Sequence, residues 1–196
     1  GGCVMIPIML LSFVAAYIVI ERFYVIRQAT KEDQNVMNRI KDYIHDGKID
    51  AALALCKSTD SPSARMIEKG ISRLGRPLQD ISTAIENVGK LEISKLEKSF
   101  PTLATITGAE PMLGFLGTVI GMVRSFYAMS QAGNNIEVSL LSDGIYTALI
   151  TTVAGLIVGI LGYFAYNILV VRVEKVVFNL EATNTEFMDI LNEPVK

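Results

Sequence analysis

Threonine and glutamate side chains within apolar stretches are the residues of this sequence that could do chemistry. Thr118 lies in one stretch and Thr152 in another, each among glycines. Hydroxyl groups in apolar surroundings need a protein or water partner, so these two either bond to carbonyls and help helices pack or line a cavity for water or a partner helix. Apart from Glu110, which is a candidate end of a polar path, no carboxylate lies within any of the apolar stretches. If protons cross here, the titrating group must come from another chain.

Small residues accompany both threonines at spacings of three and four. Such positions share one face of a helix, and small side chains there let helix backbones approach closely in lipid. Thr147 and Thr151 add a polar edge beside the second face, next to Tyr146. Two such faces in one subunit favour an oligomer built around another element. The glycines predicted to pack helices are Gly114, Gly117, Gly121, Gly155, Gly159 and Gly162.

Two charged residues flank Thr118 as candidate ends of a polar path. By helical rise, Glu110 lies about 12 Å to one side and Arg124 about 9 Å to the other. We expect Glu110 either at the inner mouth of the path or at the solvated base of its helix. For Arg124 we expect a side chain that reaches the outer interface or pairs with Glu137 or Asp143.

Three apolar stretches must position these residues. They cover 3–20, 100–123 and 144–171, and the last extends about 42 Å as a helix, more than the roughly 30 Å hydrocarbon core of a bilayer. Glu21 and Arg22 follow the first stretch without a small-residue cleavage site, so we expect a membrane helix rather than a signal peptide. With 51% apolar residues, the sequence predicts an all-α integral membrane protein with three transmembrane helices and long cytoplasmic helical extensions.

Lysine and arginine positions predict the orientation. Basic residues follow the first stretch, precede the second and follow the third, whereas the loop at 130–142 has none. The positive-inside rule places the N-terminus and this loop outside and the remaining connections in the cytoplasm. The predicted segments are transmembrane helices at 1–22, 100–129 and 143–171, the external loop at 130–142, a cytoplasmic helical region at 23–99 and a cytoplasmic C-terminal helix at 172–196.

Capping signals divide the region between the first two stretches. Thr30 and Asp33 are expected to cap one helix, and Ser61 followed by Pro62 opens another. These short helices carry few apolar residues, so we expect them to pack on extensions of the second and third spans or on neighbouring subunits. A helical period after the third stretch predicts one very long helix. Because the sequence does not begin with methionine, we also expect residues before Gly1.

The sequence lacks the patterns typical of catalytic and metal sites. Cys3 and Cys56 are expected on opposite sides of the membrane or within it, and therefore unpaired, and His45 is expected on a helix surface. No C-x-x-C, histidine cluster or glycine-rich phosphate loop occurs. We predict no enzyme activity, no metal and no cofactor. The formal net charge of −2 gives no indication of nucleic-acid binding.

Three segments of the sequence carry recognisable motifs: GGCVMIPIMLLSFVAAYIVIERFYVIRQA at the start, EPMLGFLGTVIGMVRSF in the second apolar region and DGIYTALITTVAGLIVGI in the third. Together they resemble the MotA/TolQ/ExbB family. Members of that family are bacterial inner-membrane motor subunits that form rings, typically homo-pentamers around two transmembrane helices of an ExbD- or TolR-like partner. The resemblance implies that proton flow drives rotation, and that the work passes to a TonB- or TolA-like protein that spans the periplasm.

The resemblance also implies residue roles. The family's threonines correspond to Thr118 and Thr152, which would polarise the ring lumen, with Thr147, Thr151 and Tyr146 secondary, while the partner supplies an aspartate. Many ExbB and TolQ proteins carry a glutamate where this sequence has Thr147. The N-terminus and the external loop would be periplasmic. The expected function is a proton-channel subunit for TonB-dependent transport; a TolQ-like role in envelope integrity and a non-conducting scaffold are the alternatives.

Overall fold

Every regular element in the described part of the protein is a helix. The computed structural model describes residues 2–30, 34–131 and 138–192. The all-α fold predicted from the sequence is confirmed, and three of the helices are long and apolar enough to cross a membrane. The helices are α1 (Gly2–Thr30), α2 (Gln34–His45), α3 (Ile49–Ser58), α4 (Pro62–Ile71), α5 (Leu78–Glu97), α6 (Phe100–Gln131) and α7 (Val138–Asn192).

The candidate membrane spans belong to α1, α6 and α7. Their apolar segments fall within Cys3–Thr30, Leu78–Gln131 and Leu141–Asn192. Large apolar side chains on these helices point outward, as Phe13 and Phe164 do with exposed fractions of 69% and 62%. Large exposed apolar surfaces are unfavourable in water, so lipid or neighbouring subunits must cover them.

The chain divides into two compact units. The membrane unit consists of Gly1–Glu21 and Ser99–Leu169, and the extramembrane unit consists of Arg22–Lys98 and Val170–Lys196, each within its described residues. In the extramembrane unit a Cβ atom added at Gly70 would lie 2.6 Å from the ring of Phe187. Of the short helices, α4 therefore packs on the extension that follows the third span, which is one of the arrangements that the sequence left open.

Two of the predicted helix starts have different outcomes. Ser61 caps α4, because its hydroxyl accepts a hydrogen bond from the Ala64 N–H at 3.2 Å. Thr30 is instead the last residue of α1, and its hydroxyl donates to the Ile26 carbonyl at 2.8 Å. Asp33, its predicted companion, lies outside the described residues.

Hydrogen bonds and ion pairs of charged side chains hold α5 in contact with other helices of the extramembrane unit. Arg65 donates to one carboxylate oxygen of Glu92 at 2.7 Å, and Lys95 donates to the other at 2.6 Å. Burial disfavours the ionised carboxylate, but these hydrogen bonds and charges outweigh it and hold the pKa of Glu92 below its ordinary value. Arg22 donates to the Lys95 carbonyl at 2.9 Å, near the end of α5, where helix carbonyls lack partners of their own.

Candidate functional site

A pair of threonine hydroxyls lies in the contact between α6 and α7. The side chains of Thr118 and Thr152 are hydrogen-bonded to each other. Thr152 also donates to the carbonyl oxygen of Gly114 at 2.9 Å. Thr118 Oγ1 lies 3.3 Å from the carbonyl oxygen of Ala148 and 3.4 Å from that of Gly114. The structure thus brings together the two threonines that the sequence singled out, and both are half-buried.

These contacts allow two arrangements of the hydroxyl protons, because each hydroxyl has only one proton to donate. When Thr152 donates to Gly114, its oxygen accepts from Thr118. When Thr118 donates to Ala148, its own oxygen accepts from Thr152. The same oxygen positions therefore support hydrogen bonds of opposite direction, which suits a group that relays hydrogen-bond polarity without itself ionising.

Glycines make this close approach of α6 and α7 possible. A Cβ atom at Gly114 would lie 3.0 Å from the Thr151 carbonyl oxygen, and one at Gly155 would lie 2.5 Å from the Glu110 carbonyl oxygen. Larger side chains would force the backbones apart. The other predicted packing glycines also face the opposite helix: Gly117 faces Thr151, Gly121 faces Ala148, Gly159 faces Pro111 and Gly162 faces Thr107.

Glu110 is enclosed within the membrane unit. Its exposed fraction is 0%, and neither carboxylate oxygen has a hydrogen-bond partner among the described residues. It precedes Gly114 by four residues and Thr118 by eight, so all three lie on one face of α6. The expectation of a solvated helix base is wrong, because the side chain is fully buried. Its place at the mouth of a polar path stays a prediction. Buried polar atoms without partners are rare and call for a water, an ion or a functional role.

The secondary residues predicted from the sequence divide between interior and surface. Thr151 is 3% exposed and donates to the Ala148 carbonyl at 2.6 Å, beside the hydroxyl pair. Thr147 is exposed and donates to the Gly144 carbonyl at 3.0 Å. Tyr146 is 65% exposed. The structure therefore places Thr151 in the α6–α7 contact and leaves Thr147 and Tyr146 on the surface of α7.

Arg124 lies on the exposed surface of α6. It forms no ion pair with any residue in the described ranges, and Asp143, one of its predicted partners, is also exposed. The other predicted partner, Glu137, lies outside those ranges. A side chain that reaches the outer interface stays a prediction.

Ser125 and two backbone carbonyls complete the polar contacts of α6 and α7. Ser125 is 5% exposed, donates to the Gly121 carbonyl at 2.9 Å and faces Gly144. Its place on the small-residue face that carries Thr118 follows from the spacing of three and four in the sequence. The carbonyls of Gly114 and Ala148 carry no such signal, because backbone groups do not differ in sequence. Within the described ranges, no three histidine, cysteine, aspartate or glutamate side chains are placed to hold a metal ion.

Comparison with known proteins gives consistent similarities. Residues 58–182 match the MotA/TolQ/ExbB proton channel family. A biopolymer transport protein named ExbB-like 3 from Synechocystis is 30% identical over 161 residues, 82% of this chain and 77% of that protein. An ExbB homologue from Methanothermobacter thermautotrophicus is 26% identical over 92% of this chain and 64% of its own length. The Tol-Pal protein TolQ from Haemophilus influenzae is 37% identical over 52% of this chain and 44% of its own.

Proposed function

Because the chain belongs to the MotA/TolQ/ExbB proton channel family, we propose that it is a ring-forming subunit that couples the proton-motive force to work at the outer membrane. The family consists of channel-type transport subunits, and the three apolar helices make this chain a multi-pass protein of the inner membrane. In the proposed assembly, five copies surround the transmembrane helices of an ExbD-like single-span partner. A TonB-like protein receives the work.

The hydroxyl pair of Thr118 and Thr152 is the observation that carries this proposal. Polar side chains are costly in a membrane helix and usually face a bundle interior or a water-filled space. Both threonine residues are half-buried, which leaves part of each residue available to a lumen between subunits. Their two hydrogen-bond directions would let them order water on either side of a passing proton.

A proton path also needs groups that ionise, and hydroxyls do not supply them. In the proposal, the partner's aspartate is one such group, as the family resemblance implies. Glu110 is the chain's own candidate, since it shares a face of α6 with Thr118 and its carboxylate oxygens have no partner among the described residues. A carboxyl group in that position can exchange a proton with water that enters the α6–α7 contact.

Two alternatives have specific support. The TolQ similarity favours a role in envelope integrity as much as in TonB-dependent transport. A non-conducting scaffold is favoured by the observation that the threonine hydroxyls already find acceptors within the chain. In a scaffold, these bonds serve helix packing alone.

Proton flux in liposomes tests the proposal. The protein is reconstituted alone and with its single-span partner, and flux is measured under an imposed membrane potential with a pH-sensitive dye. We expect flux only with the partner present, and we expect Thr118→Val combined with Thr152→Val to reduce it at least tenfold. Valine preserves the branched shape of threonine and replaces the hydroxyl with a methyl group, which removes its hydrogen bonds.

Thr105→Val is the matched control. Thr105 also lies on α6, is exposed and, among the described residues, donates to the Pro101 carbonyl of its own helix. Wild-type flux from this control is expected. If the double variant assembles with its partner and conducts like wild type, the hydroxyl pair has no role in conduction. A complex that conducts in no partner state would instead establish the scaffold.

A further inference from the structure

A cluster of three cationic side chains surrounds one cavity in the extramembrane unit. The cavity has a volume of about 390 Å³ and is lined by Arg27 and Thr30 of α1 and by Arg172 and Lys175 of α7. No carboxylate is among these lining residues. We name these four residues the basic pocket.

The three cations are not neutralised by the rest of the described protein. Neither Arg27, Arg172 nor Lys175 forms an ion pair with any residue in the described ranges. Arg172 is instead stacked on an aromatic ring, with its guanidinium carbon 4.3 Å from the ring centroid of Phe23. A cation held over a ring face keeps its N–H groups available as donors to an anion. Like charges brought together in this way repel one another unless an anion joins them.

The position of the basic pocket along α1 and α7 indicates that lipid headgroups are the anions nearest to it. Arg172 directly follows the last uncharged residue of the third apolar stretch, and Arg27 lies six residues, or about 9 Å of helix, beyond Glu21. Both places follow an apolar stretch directly or within about two helical turns, where a helix leaves the hydrocarbon core of a bilayer for its headgroup region. Basic pockets between membrane helices at this level are suited to anionic lipid headgroups.

Membrane orientation alone does not explain this arrangement. The positive-inside rule requires basic residues near the ends of spans, but it does not require residues of two distant helices to face one cavity. Exposed lysines elsewhere, such as Lys57 and Lys69, do not line it.

We propose that the basic pocket binds the phosphate group of an anionic phospholipid headgroup. Arg27 and Arg172 supply paired N–H donors to the phosphate oxygens, and Lys175 supplies a third positive charge. A volume of about 390 Å³ falls within the range of roughly 300–1,000 Å³ that is usual for small-ligand sites. This inference does not depend on proton conduction.

Lipid binding to the full-length protein in a neutral detergent tests this proposal. Native mass spectrometry measures the apparent affinity for phosphatidylglycerol and for phosphatidylcholine with the same acyl chains. We expect phosphatidylglycerol to bind at least tenfold more tightly. Arg27→Gln combined with Lys175→Gln is expected to remove that preference and to leave phosphatidylcholine binding unchanged.

The matched control is Lys57→Gln combined with Lys69→Gln, which changes the net charge equally on exposed residues outside the pocket. It is expected to keep the full preference for phosphatidylglycerol. Equal losses in both double variants would overturn the proposal, since binding would then follow net charge. Arg27→Gln alone keeps Arg172 on Phe23 and guards against misfolding; it is expected to weaken phosphatidylglycerol binding at least threefold, and an unchanged affinity would overturn the proposal.

A further arm separates the lipid from a free anion. Inorganic phosphate and glycerophosphoglycerol carry the same phosphate chemistry without acyl chains. We expect neither to compete with phosphatidylglycerol at millimolar concentration. The acyl chains of the lipid hold its headgroup at the level of the pocket, and the free anions lack them. Competition by inorganic phosphate at micromolar concentration would overturn the headgroup assignment in favour of a soluble phosphate.

Discussion

At the scale of single residues, Glu110 is the least expected feature of the membrane unit. Its carboxyl group is fully buried and has no hydrogen-bond partner among the described residues, and burying an unpaired polar group typically costs about 1–3 kcal/mol. A role in proton conduction would explain why this destabilising carboxyl group is present, whereas helix packing does not need a carboxyl group.

Replacing Glu110 separates its effect on the stability of the fold from its role in proton flux. Glu110→Gln keeps the size of the side chain but cannot exchange a proton, so we expect proton flux in the reconstituted complex to fall at least tenfold. Glu110→Met removes the unsatisfied group and is expected to raise the melting temperature in detergent while also blocking flux. Undiminished flux through Glu110→Gln would remove Glu110 from the path.

Glu92 makes the stability of the extramembrane unit depend on pH. Because its pKa is lowered in the folded protein, ionised Glu92 stabilises the fold fully above its ordinary pKa of 4.5, and this contribution is lost as the pH falls through the lower folded value. Glu92→Gln is expected to lower stability by about 1–2 kcal/mol at neutral pH, since Arg65 and Lys95 remain partly exposed.

The measurement is the melting temperature of wild type and variant between pH 7 and pH 3. The difference between the two curves should be constant near neutrality and should shrink below about pH 4.5. Asp80→Asn, on an exposed part of α5, is the control and should follow the wild type. A difference that stays constant down to pH 3 would contradict the assigned ion cluster.

Residue types and spacing were sufficient to identify Thr118 and Thr152 as a pair, because both interrupt a face of small residues. They were not sufficient to place Glu110, since its burial depends on how α7 crosses α6 at Gly155. The basic pocket could not be predicted from the sequence either. Arg27 and Arg172 are 145 positions apart, and only the folded chain shows that they share a cavity.

At the scale of helices, the contact between α6 and α7 depends on residues without a Cβ atom. Gly155 faces the Glu110 carbonyl, a backbone atom that cannot move aside as a side chain would. The same contact brings Thr118 to Thr152. Helix separation and the hydroxyl pair are therefore coupled.

Gly155→Ala tests this coupling. The added methyl group would lie 2.5 Å from the carbonyl oxygen of Glu110, so we expect a destabilisation of about 1–3 kcal/mol and a loss of flux as the hydroxyls separate. Gly108→Ala on α6 is the control, because a Cβ atom there would meet nothing within 4 Å. It should be neutral or stabilising in thermal unfolding, as alanine favours helices. Equal melting temperatures for the two variants would refute close packing at Gly155.

Helix starts and lengths were predicted unevenly for a physical reason. Ser61 with Pro62 forms a local cap that needs no tertiary contact, and it was predicted correctly. Thr30 has a similar local signal, but α1 extends through it, because a threonine within a helix can donate to the carbonyl four residues earlier. The length of α7 was predicted from the helical period of its apolar residues. The buried side chains of Val173 and Leu180 match that period.

At the scale of the whole molecule, the exposed apolar surfaces require a membrane and leave room for neighbours. Phe115 and Tyr163 have exposed fractions of 65% and 62%, which is typical of helix faces that meet lipid or another subunit. The proposed ring would cover part of this surface, and the orientation of the chain decides which end of the path faces the periplasm.

Thiol labelling of one native cysteine and one introduced cysteine determines that orientation. Cys3 is exposed, whereas burial, reinforced by the nearby Glu68 charge, raises the pKa of Cys56 to about 11, which leaves little reactive thiolate near neutrality. In sealed spheroplasts we expect a membrane-impermeant maleimide to label the native chain at Cys3 alone. Lys57→Cys in a Cys3→Ser background places an exposed thiol in the extramembrane unit, and it should be labelled only after the membrane is opened. Protection of Cys3 together with labelling of Lys57→Cys in sealed spheroplasts would reverse the orientation, and with it the direction in which protons meet Glu110 and the hydroxyl pair.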